Sequence, residues 1–223
     1  MRRQFVVNIL FLISLNLLIK PFWILGIDRT IQNTVGSAAY GIYFALFGFS
    51  FLLNTLLDFG VTNYNAWSIS RDPNFLKIGY KKLALFKLLF GVIYLMGTLG
   101  IGFWAGYKGF EFQLLLGLAL SQFLLSFILF QRSILAGLQI FWMDSIFSVL
   151  DKLLLIITCS YLLWFNGQQP FQIEWLVAAQ IGCYGLVLVL LMLITQTKRN
   201  TLTKALPEPA IDFTTLFKKS YPF

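Results

Sequence analysis

"FLISLNLLIKPFWILGID" (residues 11–28) decides the fold. It reads as part of a membrane helix, yet Lys20 and Pro21 sit inside it. A helix needs about 20 mostly apolar residues to cross a bilayer. The apolar run begins near residue 5, behind Met1-Arg2-Arg3, and continues to about Gly26. A cleaved leader would have a shorter apolar core and a small-residue cleavage site. The run therefore reads as a retained first span. A buried ammonium is costly in hydrocarbon, and proline interrupts the helical hydrogen-bond ladder, so both residues call for a reason.

The surrounding sequence sets the class. Of 223 residues, 58% are hydrophobic and 12% charged, with mean hydropathy +0.78. Soluble domains are about one-quarter charged, so this chain reads as an all-α integral membrane protein. Hydropathy predicts six spans, at about 5–26, 38–59, 82–105, 112–138, 143–165 and 173–196. Segment 59–70, "FGVTNYNAWSIS", is expected to carry the second helix beyond the bilayer until "RDPN" at 71–74 ends it. Proline disfavours helix at the residue before it.

Charge then fixes orientation. One set of connections holds Arg2, Arg3, Arg71, Lys77, Lys81, Lys82, Arg132, Lys198, Arg199, Lys204, Lys218 and Lys219, whereas the other holds Arg29 and Lys108. By the positive-inside rule both termini face the cytoplasm, as an even number of spans requires. The net charge of +8 is thus a topology signal rather than a nucleic-acid footprint. Residues 197–219 read as a cytoplasmic linker, and 220–223, after "TTLFKK", as the start of a truncated seventh span. The six spans would then be one lobe of a two-lobe transporter.

Enzyme chemistry finds little support. The chain has no histidine, and Cys159 and Cys183 lie in apolar runs, so no metal site and no cofactor is expected. The outer loops, 27–37, 106–111 and 166–172, are short and nearly uncharged, unlike those expected of a polymerase or transferase.

Polar residues recur at helical spacing inside the spans. The first span has Asn8, Asn16 and Lys20; the second has Ser50, Asn54, Asp58 and Thr62 as an i, i+4 ladder. The fourth has Gln122, Ser126, Arg132 and Ser133, the fifth Asp144, Ser148, Asp151 and Lys152, and the sixth Gln180. The hydroxyls and amides alone are equally well read as glue between helices. The charges are different, because each costs about 2.5–3.5 kcal/mol at a helix centre and normally faces a bundle interior or a wet cavity. Counting from the cytoplasmic end at about 1.5 Å per residue, Lys152 lies near the midplane and Lys20 in the outer half. Asp58, Lys87, Arg132 and Asp144 lie near cytoplasmic ends, and Lys87 reads as a snorkelling lysine. Asp151 and Lys152 are adjacent and about 100° apart on the helix, so they are not expected to share one direction. Lys20-Pro21 reads as a cation at a kink that lets the bundle move.

These stretches resemble a known family. "KPFWILGIDRTIQNTVGSAAYGIYFAL", "LLDFGVTNYNAWSIS" and "RSILAGLQIFWMDSIFSVLDKLLL" (132–155) look like the amino-terminal half of polysaccharide-type lipid flippases. These belong to the multidrug/oligosaccharidyl-lipid/polysaccharide exporter superfamily. The resemblance implies two six-helix lobes, alternating access and an undecaprenyl-diphosphate-linked oligosaccharide as cargo, moved from the cytoplasmic to the outer leaflet for cell-surface polysaccharide (lipopolysaccharide) synthesis. It also implies a bacterial cytoplasmic (inner) membrane, surrounding membrane lipids and glycan polymerase partners. The candidate substrate-binding residues are Lys20, Arg29, Asn54, Asp58, Arg132, Asp151 and Lys152. Cations would receive the diphosphate, while amides and hydroxyls suit sugar hydroxyls. Two alternatives stay open: a cation-coupled drug exporter of the same superfamily, whose cavity should be acidic, and a non-transporting membrane scaffold.

Overall fold

The computed structural model describes residues 13–165 and 170–201, all in helices and short connections. The readings made for residues 1–12, for the far end of the linker and for the seventh span lie outside the described residues. Five helices are long and apolar enough to cross a bilayer. Part of the first predicted span falls in residues 1–12, outside the described residues.

Helix α1 runs over 13–35 and takes π geometry from Trp23 to Asp28, directly after Pro21. A proline lacks the amide N–H that would continue the regular ladder, and a π segment is one way a helix absorbs such a defect. Helical structure continues to Val35, so most of the stretch read as an outer loop is helical. Gly36, at φ 84°, separates it from α2 (Ser37–Leu52).

The second span is not continuous with the polar helix after it. From α2 the chain tightens into a 3₁₀ turn at Leu53–Leu57 and breaks at Asp58–Gly60. It restarts as α3 (Val61–Arg71). Phe59 at φ 40° and Gly60 at φ 77° interrupt the helical backbone there, and the second position is one that glycine adopts without a Cβ clash. The expected ladder through Ser50, Asn54, Asp58 and Thr62 is therefore broken in the middle.

The remaining elements are a short α4 (Phe75–Ile78), α5 (Tyr80–Trp104), α6 (Phe110–Gly137), α7 (Phe141–Trp164) and α8 (Ile173–Thr201). Helix α6 is the hub, packing against α2, α3, α5, α7 and α8. Half of its most apolar window is buried, against about one-fifth of that of α2. Its contact with α3 is backbone-close: a Cβ on Gly137 would lie 2.8 Å from the Ala66 carbonyl oxygen and 2.8 Å from Ile69 Cβ.

The outer faces are apolar, as a lipid environment demands. On α5, Leu85, Leu88, Leu89, Val92, Ile93 and Met96 are exposed. Phe86, Lys87, Phe90, Gly91, Tyr94 and Thr98 point inward. Some polar side chains stitch the helices together. Asn16 Nδ2 donates to Ser148 Oγ (3.2 Å), Asn65 Nδ2 to Ser133 Oγ (2.8 Å) and Tyr94 Oη to the Ser50 carbonyl (3.0 Å). Several members of the predicted polar stripes thus act as glue between helices.

Candidate functional site

Three cavities share lining residues and form one polar track through the bundle. The largest of them, about 590 Å³, lies between α1 and α7 and takes Asn16, Lys20, Pro21, Arg132 and Ser148 into its wall. Arg132 also lines a second cavity of about 420 Å³, with Asn54, Asp58, Lys87, Gln122 and Asp144. Gln122 and Leu125 belong to that cavity and to a third, of about 210 Å³, with Asp28, Tyr40, Lys152 and Tyr184.

The second cavity carries two ion pairs. Lys87 Nζ donates to Asp58 Oδ1 and to Thr62 Oγ1 (3.3 Å). The Thr62 hydroxyl and amide also donate to Asp58 Oδ1. The Lys87 side chain is 1% exposed, against 37% for Asp58, so the lysine is buried behind an acid that faces the cavity. This corrects the reading of Lys87 as a snorkelling side chain. Its position seven residues into α5 puts it about 10 Å from that helix end, and its azimuth points inward. The second pair is Arg132 Nε to Asp144 Oδ1 at 2.7 Å, both side chains less than one-fifth exposed. It bridges the last turns of α6 to the first turn of α7. Because Asp144 takes only Nε, the two terminal guanidinium nitrogens of Arg132 keep their donors for other acceptors.

The third cavity is aromatic and holds Lys152. Its Nζ donates to Tyr184 Oη at 3.1 Å and lies 3.7 Å from Asp151 Oδ2. The four-carbon stem lets the ammonium swing back toward the adjacent carboxylate, so the 100° separation at the backbone does not keep the two charges apart. The ammonium also sits 5.8 Å from the Trp23 ring centroid and 5.5 Å from that of Tyr184, a cation–π arrangement. Across the cavity Tyr40 Oη donates to Asp28 Oδ2 at 2.8 Å, and Gln180 Nε2 donates to Tyr43 Oη at 2.9 Å.

Of the residues singled out in the sequence, Lys20, Asn54, Asp58, Arg132 and Lys152 line this track. Lys20 is exposed and has no ion-pair partner among the described residues. Asp151 is buried behind Lys152 and lines none of the three cavities, and Arg29 is exposed at the start of the α-helical stretch after the π turns. Sequence reasoning missed Asp28, Tyr40, Tyr43 and Tyr184. Asp28 fell in a stretch read as a loop, and the tyrosines were not among the candidate binding residues. One signal was present: Asp28 follows Lys20 by eight residues, near two helical turns, on a run that has no breaker after Pro21. Among the described residues no group of cysteine, aspartate or glutamate side chains is placed to hold a metal ion.

The fold is shared with solved transporters. A MOP superfamily transporter from Pyrococcus furiosus, described as having a binding pocket of reverse polarity that suggests a different function, superposes with TM-score 0.66 at 18% identity. That match covers 96% of this chain and 48% of the other. A crystallised mutant of a MATE protein superposes with TM-score 0.58 at 19% identity, covering 87% of this chain and 45% of the other. The chain thus spans about half the length of the structures it matches. No family model matches the sequence, and no curated protein does. At such identities the likeness establishes the architecture: an all-helical, multi-pass bundle with the fold of half a MOP superfamily transporter.

Proposed function

We propose that this bundle is one lobe of an alternating-access flippase that carries a lipid-diphosphate-linked oligosaccharide from the cytoplasmic to the outer leaflet. The single observation that carries this reading is the placement of Lys20, Arg132 and Lys152 in cavities that share lining residues. A diphosphate entering a low-dielectric passage needs cations held in place, and these three occupy successive cavities. Arg132 is anchored through Nε to Asp144, which orients its remaining donors. Lys152 has a hydroxyl and a carboxylate beside it, and Lys20 has, among the described residues, no acid in an ion pair with it. Asn54, Gln122 and Gln180 lie between them and offer both donors and acceptors, as sugar hydroxyls require. In a bacterial cytoplasmic membrane such cargo would supply cell-surface polysaccharide synthesis and glycan polymerases.

The test is glycan export by cells carrying the protein with Lys20→Ala or Lys152→Ala. Export should fall at least about tenfold for each, since one charge-assisted contact of about 1.5–3 kcal/mol is removed. Unchanged export would refute the reading.

A second reading, cation-coupled drug export, is favoured by one observation. Asp28 presents a carboxylate, hydrogen-bonded by Tyr40, in the cavity that holds Lys152. Asp28→Asn that abolished drug resistance, in a protein that exported no glycan, would select it. A scaffold would tolerate neutralisation of every charge on the track.

A further inference from the structure

A fourth cavity, of about 310 Å³, lies away from the polar track, on the flank of the bundle between α4, α5, α6 and α8. Leu76 and Ile134 form its buried floor, and the exposed Met192 and Leu193 form its outer lip. Arg199 and Tyr80 stand at its polar end, with the guanidinium 5.9 Å from the Tyr80 ring centroid. Among the described residues, Arg199 is the one charged residue in its lining, and no acid lines it. The Tyr80 hydroxyl accepts a hydrogen bond from Gln131 Nε2 at 2.8 Å, which leaves its own proton to donate. Thr195 Oγ1 lies 3.3 Å from Gln131 Oε1 and 3.2 Å from the Met192 carbonyl and shares its one proton between these acceptors, while the Gln131 bond orients the phenol.

We infer that this crevice is a binding site for an anionic phospholipid of the surrounding membrane, separate from the transport track. The polar end offers what a phosphodiester needs: a guanidinium and a fixed O–H donor. The apolar part fits the rest of the molecule. Leu193, Val189 and Leu186 are exposed at spacings of four and three, so they form one stripe leading from the crevice down α8. From Arg199 to Leu186 the helix rises by about 20 Å, against a bilayer leaflet of about 15 Å of hydrocarbon. A cation at the interface above an apolar stripe of leaflet length fits a lipid better than a soluble anion. Basic pockets between helices on the positively charged side of a membrane protein are suited to such headgroups.

The test is lipid retention by the whole protein, solubilised and offered an equal mixture of phosphatidylglycerol and phosphatidylcholine, read by native mass spectrometry. The wild type should retain phosphatidylglycerol preferentially, and Arg199→Gln should cut that preference about fivefold, the effect of one basic residue near an anionic lipid. Arg199→Lys should restore part of it. Arg71→Gln, which removes a cation lying 4.2 Å over the Trp67 ring and outside the crevice, should leave it unchanged. If Arg199→Gln fails to fold, Gln196→Glu at an exposed position of the lining places a carboxylate beside the site and should lower retention as well. Equal retention of the two lipids by the wild type would overturn the inference. So would a preference that survives in folded Arg199→Gln or Gln196→Glu, or displacement of the bound lipid by inorganic phosphate alone.

Discussion

Lys87 lies on the inward face of α5 with Gly91, Tyr94 and Thr98, at spacings of four, three and four. Its ammonium is fixed by Asp58, at the break between α2 and α3, and by Thr62. Removing the partly exposed acid leaves the buried ammonium without compensation. Asp58→Asn should therefore destabilise the protein by about 3 kcal/mol, the lower end for a broken buried pair. Asp58→Asn combined with Lys87→Met should restore much of that loss, since a neutral pair of similar volume carries no stranded charge. Thermal unfolding of the two variants in detergent measures both; equal loss in the single and double variants would show that the pair is not coupled. The same residue shows what the sequence offers at this scale. Hydropathy reports depth along a span, and by depth alone Lys87 passes for a lysine reaching the interface. Azimuth is carried by the 3.6-residue period, and Lys87 shares the face of the small and hydroxylated positions rather than that of Leu85, Leu88, Leu89 and Met96. The charges on the track were legible as residue types that hydrocarbon does not tolerate unpaired. Their partners were not, because each pair joins residues from different helices or depends on a side-chain rotamer, as with Lys152 and Asp151.

At the scale of elements, long apolar runs announce helices, but they do not announce where a helix changes its hydrogen bonding. The four long helices from α5 to α8 follow the apolar runs closely, because one run maps onto one continuous ladder. The irregular places, the π stretch after Pro21 and the break at Asp58–Gly60, depend on a few dihedral angles and on what packs nearby. Asp58-Phe59-Gly60 carries a glycine at the one position where it could mark a break, yet the i, i+4 spacing of Ser50, Asn54, Asp58 and Thr62 read as one unbroken helix across it. Gly60→Ala should cost about 1 kcal/mol through the left-handed backbone alone. Its larger effect should be on the position of Asp58, and hence on the pair with Lys87. Gly137→Leu acts differently, because the obstacle is the backbone carbonyl of Ala66 and the Cβ of Ile69, neither of which can swing aside. It should separate α3 from α6 and destabilise the fold by about 2–3 kcal/mol, in the upper range for overpacking. Thermal unfolding distinguishes the two. Gly60→Ala should leave a cooperative transition with a modest shift, while Gly137→Leu should lower the midpoint further.

Across the whole molecule, the two ends of the bundle differ in chemistry. Helix α5 is 25 residues long, about 37 Å at 1.5 Å per residue, which exceeds the roughly 30 Å hydrocarbon core. Lys81 at its first turn and Lys108 just beyond its last therefore lie on opposite sides of a membrane, whichever way the protein is inserted. Most of the basic connections fall on the Lys81 side, and positive residues are retained in the cytoplasm during insertion. The expected orientation can be measured directly, because both exposed lysines can be replaced by cysteine and the native Cys159 and Cys183 are buried. In intact cells a membrane-impermeant maleimide should label Lys108→Cys and spare Lys81→Cys until the membrane is permeabilised. Labelling in the reverse order would invert the orientation, and with it the direction proposed for transport. The consequence reaches the site itself. The cavity holding the Asp58–Lys87 and Arg132–Asp144 pairs lies toward the Lys81 end, where α3, the start of α5 and the α6–α7 turn meet. Lys152, eight residues past Asp144 on α7, is about 12 Å deeper. With Lys81 inside, a diphosphate arriving from the cytoplasmic leaflet would meet Arg132 before Lys152. With Lys81 outside, it would meet Lys152 first, and neutralising Arg132 would then no longer remove the first contact made by cargo from the inner leaflet.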